Sequence, residues 1–184
     1  MNSVSTRIEP GESSAPGEEG LVVRPGYVPG LIGWVSGAHG IYYAEAWGSG
    51  APFEIQMARE FSEFVEQFDA QRDLVLSAQV NGRIIGAIAV LGAQPTEDGV
   101  QLRFFIVDPA WQGRGAGRRL LTEALAWCRE QGHDRVFLWT VDGLPRSRHL
   151  YEKMGFRIVE RHWDDRYTVS REALKMVLEP RGQA

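Results

Sequence analysis

Three glycines alternate in the stretch Gln112-Gly113-Arg114-Gly115-Ala116-Gly117. It lies between an apolar run that reads as a strand, Gln101 to Val107, and an amphipathic run that reads as a helix, Gly117 to about Gln131. Glycines at such a junction let the backbone turn sharply and approach a ligand with no Cβ in the way. The helix that follows starts with N–H groups that have no intrahelical partner, and the positive end of its dipole stands behind them. A strand, a glycine turn and a helix start in that order form a place for phosphate or pyrophosphate. Arg114, Arg118 and Arg119 add positive charge nearby. A P-loop would need Gly-Lys-Ser/Thr after its glycines, and Arg118-Arg119 stand there instead. The dinucleotide fingerprint would need glycine at position 118 and would open the first strand–helix unit of a parallel sheet. On the glycines alone, a loop that binds nothing competes evenly with a phosphate site.

Other chemistries find less support. His39, His133, His149 and His162 lack metal-ligand spacing and the single cysteine cannot complete a set, so no metal site is expected. Cys128 falls on the apolar face of its helix with Leu121 and Leu125, the pattern of a buried structural thiol. No G-x-S-x-G elbow is present for a serine hydrolase.

The elements that would position the glycine turn can be read along the chain. Residues 1–19, rich in Ser, Glu, Gly and Pro, read as a disordered tail, and residues 20–180 as one domain. Leu21-Val22-Val23-Arg24, stopped by Pro25-Gly26, suggests an edge strand. Between Pro29 and Trp47 the glycines at 33, 37 and 40 are expected to break a helix and leave a looser turn near Tyr42, Tyr43 and Trp47. Phe53, Met57, Phe61, Phe64, Val65 and Phe68 recur at helical spacing after Pro52. Leu74–Val80 and Arg83–Leu91 flank Asn81-Gly82, a strong hairpin signal. After the glycine turn and its helix come a strand at 135–141, a helix at 145–153 ended by Gly155, and strands at 156–161 and 173–178. Strands interrupted by helices around one sheet make the fold α/β or α+β.

Composition is that of a globular protein: 43% hydrophobic and 24% charged in 184 residues. A net charge of -4 argues against nucleic acid as a partner and mildly favours a cationic substrate such as an amine. No apolar run approaches the ~20 residues of a membrane helix, and the first residues lack the apolar core of a secretory signal. With one cysteine, a cytoplasmic location is the expectation, with no membrane partner.

Set in its surroundings, QGRGAGRRLL after FFIVDPAW resembles the central acyl-CoA motif of GNAT N-acetyltransferases, and HLYEKMGFRIV resembles that family's second signature. The likeness extends over about Leu21 to Leu178 and implies the GNAT fold: a mixed, mostly antiparallel sheet of six to seven strands flanked by about four helices. GWVSGAHGIYYAEAWG further resembles the GNAT domains fused to MarR-type regulators, although no winged-helix segment accompanies it, so DNA binding does not carry over. The resemblance implies acetyl-CoA as co-substrate, an amine as acceptor, and no metal. Backbone groups of Phe105, Ile106 and Val107 would pair with the pantetheine arm. The N–H groups of Gln112, Gly113, Arg114, Gly115, Ala116, Gly117 and Arg118 would hold the pyrophosphate.

By the same likeness Tyr151 would protonate the leaving thiolate; with an ordinary pKa near 10, tyrosine holds its proton at neutral pH. From the residues alone Tyr151 reads first as a packed helix residue beside Leu150 and Met154, and it is the motif that favours the acid. Where many members carry an asparagine seven residues before the tyrosine, this chain has Leu144. The strand before the turn offers Gln101 and Arg103, neither suited to be a general base. Glu45 is the first candidate base and His39 the second, and attack by an already neutral amine needs neither. Trp139, Trp163 and Tyr167 are candidates for the acceptor pocket. A homodimer is compatible with the family. A non-catalytic acyl-CoA-binding regulatory module is the competing reading.

Overall fold

The computed structural model describes residues 20–164 and 170–179; the tail at 1–19 and Tyr167 lie outside the described residues. Its elements are β1 (Leu21–Pro25), α1 (Leu31–Trp47), α2 (Ala51–Glu66), β2 (Leu74–Val80), β3 (Arg83–Thr96), β4 (Gly99–Val107), α3 (Ala116–Glu130), β5 (Val136–Val141), α4 (Pro145–Lys153), β6 (Arg157–Asp164) and β7 (Arg171–Leu178). A 3-10 turn, Pro109–Trp111, precedes the glycines.

The seven strands form one sheet in the order β1-β2-β3-β4-β5-β7-β6, with β1 at an edge. Every neighbouring pair is antiparallel except β4 and β5. The β2–β3 hairpin turns on Asn81 (φ 50°) and Gly82 (φ 76°), the left-handed pair a two-residue turn requires.

Two elements differ from the sequence expectation. α1 is a single helix of 17 residues, unbroken by its glycines. It is held from outside by α2: at Gly40 a Cβ would meet the Glu54 side chain at 2.9 Å, so the glycine admits close packing instead of ending the helix. β3 runs on to Thr96, through a register irregularity after Leu91. The buried Asp73 carboxylate accepts the N–H groups of Gly92 and Ala93, each at 2.9 Å, and so satisfies backbone that the ladder leaves over.

Helices cover both faces of the sheet. Leu120, Leu121, Leu125 and Cys128 of α3 pack with Val90, Leu102, Leu138 and Phe156 on one face. Leu31 and Val35 of α1 and Phe53, Met57 and Phe61 of α2 pack on Val75, Ala87, Ala89 and Phe104 on the other. Cys128 is the expected structural thiol, and burial pushes its pKa up to about 12.

β4 serves both cores through a defect in its alternation. Val100 and Leu102 face α3, and regular alternation would send residue 104 the same way. Phe104 instead has φ 53°, a rare conformation for an aromatic residue, and its side chain enters the α1/α2 core. Phe105 and Val107 then pack on the α3 side. Between the pairs Ala89–Arg103 and Ala87–Ile106 β4 advances three residues while β3 advances two, which is a β-bulge.

Gly99 fixes where β4 and β5 meet. It has φ 96°, and a Cβ there would stand 1.9 Å from the Arg135 carbonyl oxygen, the atom that accepts the N–H of Val100 at 3.1 Å. Replacing Gly99 by Ala is expected to cost about 2–4 kcal/mol, a strained φ plus a backbone displacement, read as a lower urea midpoint. Wild-type stability in the variant would contradict this account of the seam.

Candidate acyl-donor and acceptor cleft

The parallel strands β4 and β5 are paired at Val100–Val136 and Gln101–Phe137 and then part. Beyond those two positions the bulged half of β4 faces β5 across a gap, and the gap opens into a cleft of about 850 Å³. Phe105, Ile106 and Val107 line it. Because β3 pairs with the other side of β4, the backbone groups of β4 that face β5 here are left without a strand partner. An extended chain with amide groups could take that place.

The glycine turn stands at the end of β4. Gly113 (φ 77°) and Gly115 (φ 90°) adopt the left-handed conformation. Gly115 is the N-cap of α3 and supplies no side-chain cap. The first intrahelical bond there runs from the Arg119 N–H to the Gly115 carbonyl at 2.9 Å. Ala116, Gly117 and Arg118 therefore present N–H groups that the helix itself cannot pair. Gln112, Gly113, Gly115, Gly117 and Arg118 line the cleft. Arg114 does not; its guanidinium lies over the Trp111 ring, 5.2 Å from the centroid. The Ala116 methyl is buried in the α3 core, so only its backbone can serve the turn.

Two side chains have roles the sequence did not disclose. Arg119 donates to the Leu21 carbonyl and pairs with Glu123, which commits it to β1 and its own helix. Gln112 donates from Nε2 to the Val107 carbonyl at 3.1 Å and accepts from Arg146 of α4 at 3.1 Å. It ties the end of β4 to α4 across the mouth of the gap.

Tyr151 lies on α4, 5% exposed, with its ring 5.9 Å from Phe105 and 5.8 Å from Phe156. It lines the cleft with Tyr43 of α1. Burial first, and the nearby Tyr43 hydroxyl second, push its pKa well above the ordinary tyrosine range, so the phenol keeps its proton at any physiological pH. Leu144, the N-cap of α4, is buried and offers no side-chain cap. His149 is exposed at the cleft rim.

The structure does not bring Glu45 to the cleft. The α1 face formed by His39, Tyr42, Tyr43 and Trp47 lines it, whereas Glu45 points elsewhere on the helix and is exposed. This departs from the expectation of a base at Glu45, and the reason is helical phase: three or four residues separate the lining positions, and 45 falls between them. His39 is in the lining and 6% exposed. Its Nδ1 lies 2.8 Å from the Val35 carbonyl, an acceptor, so Nδ1 carries the hydrogen and Nε2 is bare in the neutral ring. Of the aromatic candidates, Trp139 lines the cleft while Trp163 is 73% exposed outside it. Among the described residues no His/Cys/Asp/Glu group could hold a metal ion, and no helix is long and apolar enough to cross a membrane.

Comparison with known proteins places this geometry among relatives. The family model described as "Acetyltransferase (GNAT) family" matches residues 39–156, more than half of the chain. A mycothiol acetyltransferase from Beutenbergia cavernae is 48% identical over 56 residues, 30% of this chain and 19% of that protein. A glucosamine 6-phosphate N-acetyltransferase from Trypanosoma brucei brucei is 34% identical over 92 residues, 47% of this chain and 60% of that protein. The chain thus spans less than two thirds of the length of these curated relatives. An acetyltransferase structure from Streptococcus agalactiae superposes with a TM-score of 0.68 at 19% identity, over 89% of this chain and 99% of that one. A GNAT family acetyltransferase from Elizabethkingia anophelis with acetyl-CoA bound gives 0.58 at 15%, over 88% and 99%. The expected fold is the one found.

His39 makes stability depend on pH. Burial disfavours the charged ring first, with Arg103 adding to the effect against the raising influence of the Val35 bond, and its pKa falls from 6.5 to about 4. The unfolded chain therefore takes up a proton near pH 6.5 that the folded chain refuses until about pH 4, so stability drops as pH falls through that window. The contribution is about 3 kcal/mol at its fullest. His39→Gln is expected to remove it, and urea titrations of both proteins at pH 7 and pH 4.5 would show a smaller acid loss in the variant. Equal acid losses would place His39 in water rather than in the core.

Proposed function

The chain belongs to the acetyltransferase (GNAT) family, and on that premise we propose that it transfers the acetyl group of acetyl-CoA to a primary amine by direct attack. The observation that carries this reading is continuity. The unpaired edge of β4, the uncapped start of α3 and the buried phenol of Tyr151 all line one cleft.

The residues present suit an acyl-CoA. Phe105, Ile106 and Val107 offer backbone groups for the amides of a pantetheine arm, which would complete the sheet in the gap beside β5. Gly113 through Arg118 offer N–H groups at the positive end of α3 for the pyrophosphate, with the Arg118 side chain beside them. The co-substrate supplies an activated thioester; the protein supplies placement and a proton. Tyr151 keeps its hydroxyl protonated and donates that proton to the departing sulfur. His39, bare at Nε2, can accept a hydrogen bond from the incoming amine, but its lowered pKa makes it a poor sink for an ammonium proton. The amine therefore arrives neutral, its ammonium proton already lost to water. The proton its nitrogen sheds as the amide forms returns to the Tyr151 phenolate left by protonating the sulfur, and the rate should rise with pH until the acceptor's own pKa is passed.

We place the catalytic domain over residues 20–180 and take the cytoplasm as its setting, which suits a single cysteine held as a buried thiol. The likeness of the opening stretch to regulator-fused domains finds no support among the relatives described, and neither does a purely regulatory role.

Three outcomes test the proposal. Tyr151→Phe preserves the ring packing and is expected to lower kcat by roughly 10²–10⁴-fold with little change in acetyl-CoA affinity, measured by release of free coenzyme thiol. Gly117→Glu sets a carboxylate at the start of α3, and isothermal titration should show acetyl-CoA binding abolished while circular dichroism stays native. Failure of the wild type to bind any acyl-CoA would end the assignment of activity.

A further inference from the structure

Resting on that reading, we propose that the acceptor amine carries an anionic group, a carboxylate or a phosphate, and that Arg171 receives it. Arg171 opens β7 and lines the cleft. Its guanidinium lies over the indole of Trp47, 5.1 Å from the ring centroid, which places it on the α1 face of the sheet. The uncapped start of α3 belongs to the opposite face, so Arg171 is not part of the pyrophosphate turn.

What singles it out is an unmet requirement. Among the described residues the buried Nε of Arg171 has no hydrogen-bond partner and the side chain forms no ion pair. Other arginines of the cleft are committed: Arg103 pairs with Glu60 at 2.5 Å, and Arg146 bonds to Gln112. Arg118 stands at the α3 start. A buried donor left without a partner is costly, and a guanidinium presents Nε and Nη in a fork that fits two oxygens of a carboxylate or phosphate. The Trp47 ring holds the guanidinium plane in place before the ligand arrives. An anion on the acceptor would satisfy the buried Nε, and the amine of the same molecule would then be confined to the cleft that holds His39, Tyr43 and Tyr151. Uncharged amines gain nothing from this contact.

The test uses matched amines: β-alanine against propylamine, and O-phosphoethanolamine against ethanolamine. Wild-type protein with acetyl-CoA should prefer at least one anionic member over its neutral partner by roughly 10–100-fold in kcat/KM, and whichever pair shows it identifies carboxylate or phosphate. Arg171→Gln should abolish that preference while leaving the neutral amines and the acetyl-CoA affinity within about twofold. Arg171→Lys, which keeps charge but not the fork, should retain part of it and guards against misfolding of the glutamine variant. If no amine in the panel turns over, the same four amines are titrated into the CoA-loaded protein, where anion-dependent, Arg171-dependent binding is the supporting result. Equal treatment of both members of each pair, or equal loss for both in Arg171→Gln, would overturn the proposal. Acetyl-CoA binding distinguishes the two levels: if it persists, only the acceptor assignment falls, and if it is lacking, the transferase reading falls with it.

Discussion

The structure depends on a pairing that is abandoned after two residues. Parallel strands in a sheet normally continue their ladder, since each unpaired backbone group in a buried place carries a penalty. β4 and β5 pair at Val100–Val136 and Gln101–Phe137 and then leave the rest of their facing edges open. The left-handed Phe104 turns β4 away from its regular course, sends one large ring into the α1/α2 core and returns the following residues to the α3 core. Packing on both faces is therefore what holds the strand in its bent path. The Gln112 side chain finishes the arrangement by bonding to the last carbonyl of β4 and to Arg146 on α4.

Around that gap the two faces of the sheet divide the work. The α3/α4 face supplies a helix start rich in donors and a phenol whose proton is secured by burial. The α1 face supplies aromatic rings, a neutral histidine and an arginine laid on tryptophan. Charge is placed sparingly. Of the four arginines that line the cleft, Arg103 and Arg146 are tied to Glu60 and Gln112, which leaves Arg118 with the donors of the α3 start, and Arg171, to meet a ligand.

Local signals made much of this legible. The Asn-Gly hairpin, the phenylalanine periodicity of α2, the apolar stripe of α3 and the alternating glycines each carry their meaning within a few residues. Where meaning came from afar the sequence was silent or misleading. The glycines of α1 argue against a helix, and the reason for one of them, Gly40, shows only once Glu54 of α2 is packed against it. The strand nature of the residues after Leu91 depends on Asp73, nineteen and twenty residues earlier in the chain. Nothing in the string of residues distinguishes the left-handed Phe104 from the ordinary Phe105 beside it. Glu45 and Trp163 looked eligible by type, and only helical phase and strand direction put them outside the cleft. The unmet need of Arg171 is visible only once its neighbours among the described residues have been placed.

Cys128 has a consequence of a different kind. Its sulfur is packed among leucines of α3 and its acidity is suppressed by burial to a pKa of about 12. Thiolate, the form that attacks disulfide reagents and alkylating agents, is thus almost absent from the folded chain at neutral pH. The native protein is chemically mute toward such probes, and any sulfur that reacts promptly in its presence belongs to the molecules it handles. Labelling at Cys128 becomes instead a clock for unfolding, since only an opened α3 exposes it.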